Sequence, residues 1–404
     1  MNILYINSFN CSPEAGGVNR IVYLLSRHFM EVQKYKCFIG FYEFQPKEKP
    51  IADFDSSIKL SRNFNHQEFE TFLLDNEIDV VQINFIKKEN LCTIPYIYQI
   101  AHRHQIKVLY CLHVCPKFET VTYGSWERVV YSFSHKEAPL QELRRWLITL
   151  TKPILRPFSN RIIRDKYLIP YLNCDKVVLL SKNYRQPYLD IIRLNDSQKF
   201  EAIGNALTFN EFASEEDILS KQKQVLVVAR FDEFSKRVSL ALKVWKKIEQ
   251  DDRLADWTLT LVGDGEAMGF YQYLVQKWNL KRVTFMGHQN PMEYYRSASI
   301  FLITSSAEGW PMTLMEASQM GVPTVAFDSF GALHDIIEDG YNGRIVPNNN
   351  LTAFQNALTE LMLDEKRLQA MQFSAKESSQ NFTIEKIIEK WERLFEEMKN
   401  NSTK

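Results

Sequence analysis

The chain has 404 residues, 45% hydrophobic and 24% charged. That is the make-up of a soluble globular protein, and it is too long for one compact core, so two domains of roughly 150–200 residues are expected. Lys+Arg and Asp+Glu both number 49, giving a net charge of zero, which argues against a globally basic nucleic-acid binder and leaves any anionic partner to a local patch.

No stretch approaches the ~20 apolar residues that span a bilayer. The cysteines, Cys11, Cys37, Cys92, Cys111, Cys115 and Cys174, lie in the first half without paired spacing. With no signal peptide in view they read as reduced cytosolic thiols.

The first strand is Ile3–Asn7. Ala15-Gly16-Gly17-Val18 follows it and leads into a helical pattern over Val18–Glu31. Two glycines let backbone approach a ligand and leave a helix N-terminus open; a plain tight turn reads equally well. The spacing is not G-x-G-x-x-G, so no dinucleotide fingerprint is present. After the strand Cys37–Tyr42, Asp53-x-Asp55 matches a metal-binding D-x-D in letters only and reads as a solvated loop.

Strands Asp79–Ile83 and Lys107–Leu112 come next, with His113 at the end of the second. A histidine there either faces a ligand or is simply packed. Cys111, His113 and Cys115 share a strand face but lack a fourth ligand at credible spacing, so zinc is set aside. Residues 126–166 are basic, with Trp126, Tyr131, Phe133, Trp146 and Phe158 interleaved. This suits an anionic lipid surface or a lipid diphosphate, or equally a solvated helical hairpin. Strands Lys176–Leu180 and Phe200–Ile203 close the first half.

Residues 207–223 are polar and acidic and read as a linker between a domain over 1–206 and one over 224–380. The second half has strands at Val225–Ala229, Thr258–Val262, Arg282–Met286, Ile300–Ile303, Pro323–Ala326 and Gly343–Val346, and helical patterns at Lys236–Glu249, Pro311–Met320 and Leu351–Leu363. Residues 381–404 hold an amphipathic helix over Thr383–Lys399, expected to pack back on the N-terminal domain. Strand–helix alternation predicts a parallel sheet covered on both faces, and it occurs twice. The fold class is therefore α/β, with two Rossmann-like doubly wound domains and a ligand cleft between them.

Two segments of the second half carry the chemistry. Arg230 follows a strand and Lys236 lies six residues on, so a rigid fork and a mobile point charge can converge on one anion; a solvated basic turn has the same letters. In Glu308-Gly309-Trp-Pro311-Met312-Thr313-Leu314-Met-Glu316, Pro311 suits the first helical position. The N–H groups of Met312, Thr313 and Leu314 then form a positive helix end suited to an anion. Glu308 and Glu316 would repel a phosphate and so suit hydroxyls on either side of it. A helix with an acidic residue at each end reads the same.

These pieces, in this order, resemble the family 4 retaining glycosyltransferases of GT-B fold, some of which build bacterial surface polysaccharides. The E-x7-E at Glu308–Glu316 is the most specific part; Val262-Gly-Asp-Gly265, Phe285-Met-Gly287 and Ile336-Ile-Glu-Asp-Gly-Tyr-Asn-Gly343 also look like the family. The resemblance implies that Arg230 and Lys236 hold the donor diphosphate. It implies that Glu308 contacts the transferred sugar and Glu316 the ribose, and that His113 and Gly16-Gly17 face the donor from the N-terminal domain.

Two departures stand out. Ile203-Gly-Asn205-Ala206 replaces the family's Ile-Pro-Asn-Gly, and Arg237 takes the place of a glycine after the Arg–Lys pair, adding charge beside the phosphate site.

The expected function is transfer of a hexose-type sugar from a UDP- or GDP-sugar to a hydroxyl of a glycan or polyprenyl-diphosphate-linked acceptor. Retention by front-face attack is implied by the family. No metal is required, because Arg230, Lys236 and the helix end would stabilise the leaving diphosphate. No nucleic-acid partner is expected, and the protein is placed in the cytoplasm, at the inner face of the membrane if residues 126–166 touch lipid. The alternatives are a GT-B nucleotide-sugar epimerase and a non-catalytic nucleotide-sugar-binding protein.

Overall fold

A computed structural model describes residues 1–11, 17–43, 53–84, 88–116 and 161–400. The chain divides into two compact units. Among the described residues, unit 1 comprises those of 1–116, 161–206 and 382–400, and unit 2 comprises Leu207–Asn381.

Unit 1 is built on a seven-stranded sheet in the order β3-β2-β1-β4-β5-β6-β7. The strands are β1 (Asn2–Phe9), β2 (Lys36–Glu43), β3 (Ser56–Lys59), β4 (Val80–Ile83), β5 (Lys107–Leu112), β6 (Lys176–Leu179) and β7 (Phe200–Ala202). Every pairing is parallel. Strands buried on both faces have to be apolar throughout, and Ile3, Leu4, Tyr5 and Ile6 are all fully buried.

β3 is an element the sequence reading omits. It is a four-residue edge strand whose burial pattern leaves only Ile58 inside, so it has no apolar run to announce it. The Asp53–Asp55 segment leads into it. Asp55 Oδ2 accepts from the Cys37 backbone N–H at 2.8 Å and Asp53 Oδ2 from the Tyr23 hydroxyl at 3.0 Å. Asp55 thus fixes the edge of the sheet, and Asp53 ties the same segment to the helix Gly17–Glu31.

The helix Ile384–Asn400 covers unit 1 with Ile387, Ile388, Trp391, Leu394, Phe395 and Met398 buried. Phe395 lies 5.8 Å from Phe29, centroid to centroid, and Glu397 Oε1 accepts from Lys176 Nζ at 2.8 Å. The apolar stripe that needs a cover in the sequence finds it on the N-terminal sheet's own helix, Gly17–Glu31.

Unit 2 has a six-stranded parallel sheet in the order β10-β9-β8-β11-β12-β13. Its strands are β8 (Gln224–Val228), β9 (Thr258–Val262), β10 (Val283–Gly287), β11 (Ile300–Ile303), β12 (Thr324–Asp328) and β13 (Gly343–Pro347). One face carries Val225, Val227, Leu259, Leu261, Ile300, Leu302, Val325 and Phe327 into a core with Trp245, Tyr271 and Leu358. This is the period-2 alternation of a sheet whose faces meet different helices.

Residues 207–223 are not a linker. They hold the helix Glu215–Leu219, and Ala213 and Ile218 are buried. Gln319 Nε2 donates to the carbonyls of Phe209 and Glu211 at 2.8 and 2.9 Å. The segment is polar because it lies on the surface, and it is ordered because a buried glutamine ties it down.

In both sheets the strand order reverses beside the first strand, between β1 and β4 in unit 1 and between β8 and β11 in unit 2. Loops leaving the carboxyl ends of these neighbours diverge and open a crevice, the usual ligand position of doubly wound sheets. In unit 2 those loops are 229–232 and 304–311, where the Arg230 and Glu308 motifs lie.

Candidate active site

The β8 loop ends on Asp232, whose Oδ1 accepts from the Phe234 N–H at 3.0 Å and caps the short helix Glu233–Lys236. Its Oδ2 accepts from Ser235 Oγ at 2.8 Å and from Arg230 Nη2 at 3.3 Å. Arg230 itself extends into solvent, its side chain 74% exposed. A cation so placed is cheap to hold and available to an incoming anion.

Two glycines of the β9 loop support this turn. A Cβ at Gly263 would meet the Ala229 carbonyl oxygen at 1.8 Å, and one at Gly265 would meet that of Phe231 at 2.6 Å. Both residues have positive φ, +141° and +153°. The Gly-Asp-Gly motif therefore serves backbone-to-backbone packing under Arg230, with Phe231 N–H donating to Asp264 O at 2.8 Å.

Lys236 ends the short helix, and its Nζ donates to Glu308 Oε1 at 2.5 Å. The two side chains are 24% and 17% exposed, so this is a half-buried pair at the mouth of the crevice. The sequence predicts one helix across Lys236–Glu249; the structure breaks it at Arg237, which has a left-handed φ of 49° and separates Glu233–Lys236 from Val238–Ile248. The break turns the last residue of the short helix toward the β11 loop.

Arg237, read in the sequence as added charge beside the phosphate site, spends its donors on neighbouring loops. Its guanidinium turns inward to the Thr304 and Ser305 carbonyls and to the side-chain oxygens of Asn348 and Asn349. Burial pushes its pKa down to about 10.

Glu233 is also buried. It accepts from Ser239 Oγ at 2.5 Å and from the Ser239 N–H at 3.3 Å, and burial pushes its pKa up to about 7, only partly offset by those bonds.

The helix predicted from Pro311 begins at Met312 and runs to Gln319, with Pro311 as its N-cap in extended conformation. The Leu314 N–H, expected to be open to a ligand, donates to Pro311 O at 3.0 Å; a capping carbonyl reaches the third helical N–H.

Glu316 lies just over one turn inside the helix and is 4% exposed. Its Oε1 accepts from Thr208 Oγ1 at 2.9 Å and its Oε2 from Tyr295 OH at 3.3 Å. Thr208 is 108 residues away in sequence, and no sequence pattern singles out it or Tyr295.

In unit 1, His113 follows β5 and Asn84 follows β4. His113 Nε2 lies 3.1 Å from Asn84 Oδ1, which also accepts from Gln82 Nε2 at 3.1 Å. The Asn84 oxygen is an acceptor, so the His113 proton is on Nε2 and Nδ1 is left as an acceptor. Burial lowers the His113 pKa to about 4. His113 Nδ1, Asn84 Nδ2 and Asn7 Oδ1 are buried with no hydrogen-bond partner among the described residues. All three stand at carboxyl ends of β1, β4 and β5, where the strand order reverses.

Gly17 starts the helix after β1. Gly16 and most of the basic, aromatic segment 126–166 lie outside the described residues. Among the described residues, no helix is long and apolar enough to cross a membrane.

Residues 208–378 match the family model described as glycosyl transferases group 1. An uncharacterized glycosyltransferase of Haemophilus influenzae is 28% identical over 240 residues, covering 58% of this chain and 65% of its own length. A Campylobacter jejuni protein, named as an alpha-1,4-N-acetyl-D-galactosaminyltransferase acting on a diNAcBac-PP-undecaprenol-linked GalNAc disaccharide, is 24% identical over 247 residues, 61% of this chain and 66% of the relative. The chain thus matches just under two thirds of the length of either relative.

Among solved structures, Anabaena Alr3699/HepE in complex with UDP superposes with a TM-score of 0.69 at 14% identity, over 98% of this chain and all of that one. The fold is GT-B, and residues 208–378, within unit 2, are similar to the group 1 glycosyl transferases.

Proposed function

We propose that the protein is a retaining glycosyltransferase. It moves a hexose-type sugar from a UDP- or GDP-sugar to a hydroxyl of a glycan or polyprenyl-diphosphate-linked acceptor, in surface polysaccharide or glycolipid synthesis. The observation that carries this reading is the contact of Lys236 with Glu308 at 2.5 Å where the second sheet reverses its strand order. A cation for a diphosphate and a carboxylate for sugar hydroxyls stand side by side, with Arg230 exposed on the adjoining loop.

As the glycosidic bond breaks, negative charge gathers on the leaving diphosphate. On this reading Arg230, Lys236 and the N-terminus of the Met312–Gln319 helix stabilise it, and fixed charges of this kind are the largest catalytic contribution in most such sites. With arginine and lysine in that role the reaction needs no metal. A diphosphate oxygen takes the acceptor's proton during attack on the face the leaving group vacates, so configuration is retained. Glu316 holds the ribose hydroxyls. The lipid-linked disaccharide in the name of the Campylobacter relative supports the acceptor class. On this reading the protein works in the cytoplasm, at the inner face of a membrane through residues 126–166.

The test is an incubation of purified protein with UDP- and GDP-hexoses, a polyprenyl-diphosphate sugar and anionic liposomes, with and without a chelator. The expected result is acceptor-dependent, chelator-resistant transfer, with the donor's anomeric configuration in the product by NMR. Consumption of the sugar nucleotide without an acceptor would overturn the transferase reading in favour of an epimerase. Transfer only to soluble sugars, with no liposome binding, would overturn the lipid acceptor.

A further inference from the structure

Arg237 occupies a backbone position that suits glycine better than arginine, with φ 49°; an L-residue held there costs on the order of 1 kcal/mol. What the side chain does from that position is unusual. Its Nε donates to Thr304 O at 2.7 Å and its Nη2 to Ser305 O at 2.8 Å. Nη1 donates to Asn349 Oδ1 at 2.8 Å and Nη2 also to Asn348 Oδ1 at 3.1 Å.

The guanidinium also lies 5.6 Å from the ring centroid of Phe327. One side chain therefore joins the end of the short helix after β8, the loop after β11 and the loop after β13, over the end of β12. The backbones around it are tied in the same sense. Thr304 Oγ1 donates to Lys236 O at 2.8 Å, and the Ser306 N–H to Ser235 O at 2.7 Å.

Only a planar fork with several donors in fixed directions can serve these acceptors together; a lysine presents one point charge. The loop it grips, 304–306, leads two residues later to Glu308, and the residue before it is Lys236.

We propose that Arg237 is a positioning residue of the sugar-nucleotide site. It fixes the β11 loop against the Glu233–Lys236 helix so that Lys236 and Glu308 stand at their working separation. This rests on the glycosyltransferase reading above and deepens it: the diphosphate cation and the sugar carboxylate are aligned by a third side chain that touches neither substrate.

The experiment compares wild type, R237G, R237K, K236A and the double variant R237G/K236A in full-length protein. It measures kcat and donor KM, nucleotide affinity by calorimetry, and folded fraction by thermal melting. Glycine is at ease at φ 49°, so R237G removes the fork without straining the backbone.

The expected result is a folded R237G protein at the assay temperature with kcat/KM for the donor down about tenfold or more, and R237K close to it. Because Arg237 acts through Lys236, the R237G effect shrinks to less than twofold in the K236A background. Tens of millimolar guanidinium restores part of the R237G rate.

R237G kinetics equal to wild type would overturn the inference. So would a loss that merely tracks unfolded fraction, or equal losses in both backgrounds. A wild-type protein that neither binds nor turns over sugar nucleotides is a different result: it sinks the glycosyltransferase reading itself and takes this inference with it.

Discussion

The Lys236 ammonium and the Glu308 carboxylate meet at 2.5 Å although 72 residues separate them. Each offers the other a charged partner. On the proposed reading, a diphosphate arriving at Lys236 would compete with Glu308 for the ammonium and release carboxylate capacity for hydroxyls. The pair would then couple the two halves of a sugar nucleotide in one contact.

On the proposed reading, replacing Lys236 by methionine removes a charge that would stabilise the leaving group, and it takes the Lys236 ammonium away from Glu308. Loss of one preorganised donor of this type costs about a hundredfold or more in rate. We expect K236M to lose turnover by that order, with a smaller change in thermal melting, measured in a single-turnover transfer assay.

The two glutamates separate by readout. Glu316→Ala is expected to weaken chiefly nucleotide binding, measured by calorimetry with UDP and GDP. Glu308→Ala is expected to lower chiefly kcat. The reverse pattern would exchange the roles assigned to them and leave the fold untouched.

Thr208→Val takes one donor from a carboxylate that is 4% exposed. Hydrogen bonds to charged groups contribute about 1.5–3 kcal/mol, so a stability loss of that order is expected in urea denaturation, with nucleotide affinity falling in parallel. Thr208→Ser should keep both.

Two of the buried titratable groups, His113 and Glu233, set opposite pH slopes. His113 is held neutral with a pKa of about 4, below its unfolded value of about 6.5, so the unfolded chain binds the extra proton and stability falls as pH drops from 6.5 toward 4. Glu233 has its pKa pushed up to about 7, so its contribution is fully present below its unfolded value near 4.5 and is lost as pH rises through 7. Each shift corresponds to at most ~3.5 kcal/mol at ~1.4 kcal/mol per unit. The checks are denaturation series from pH 4 to 8 on H113Q and E233Q. H113Q should lose less stability than wild type below pH 6, and E233Q should gain relative to wild type as pH rises from 5 to 7.

The strands of both sheets are legible in the sequence because a strand buried on two faces has to be a β-branched or apolar run, as at Ile3–Ile6 and Val225–Val228. β3 is not, because an edge strand needs only Ile58 inside. The Arg230–Lys236 and Glu308–Glu316 segments are visible as motifs, since short spacing fixes where they stand after β8 and β11.

Their partners are another matter. Thr208, Tyr295 and Asn84 are ordinary letters whose roles arise from distant contacts, and Arg237 reads as surplus charge until its carbonyl acceptors are known. The start of the Met312–Gln319 helix differs by one residue because proline satisfies the cap as readily as the first turn.

The Ile384–Asn400 helix has a consequence for synthesis on the ribosome. Unit 1 takes its cover from residues made after the whole of unit 2, so its sheet emerges early and waits with the patch under Trp391 and Phe395 uncovered. Unit 2, once residue 381 has cleared the tunnel, has all its own segments and can complete first. Nascent chains stalled with residue 381 just outside the tunnel and the Ile384–Asn400 helix still inside it should therefore show a protease-resistant second half beside a first half that still binds a hydrophobic dye.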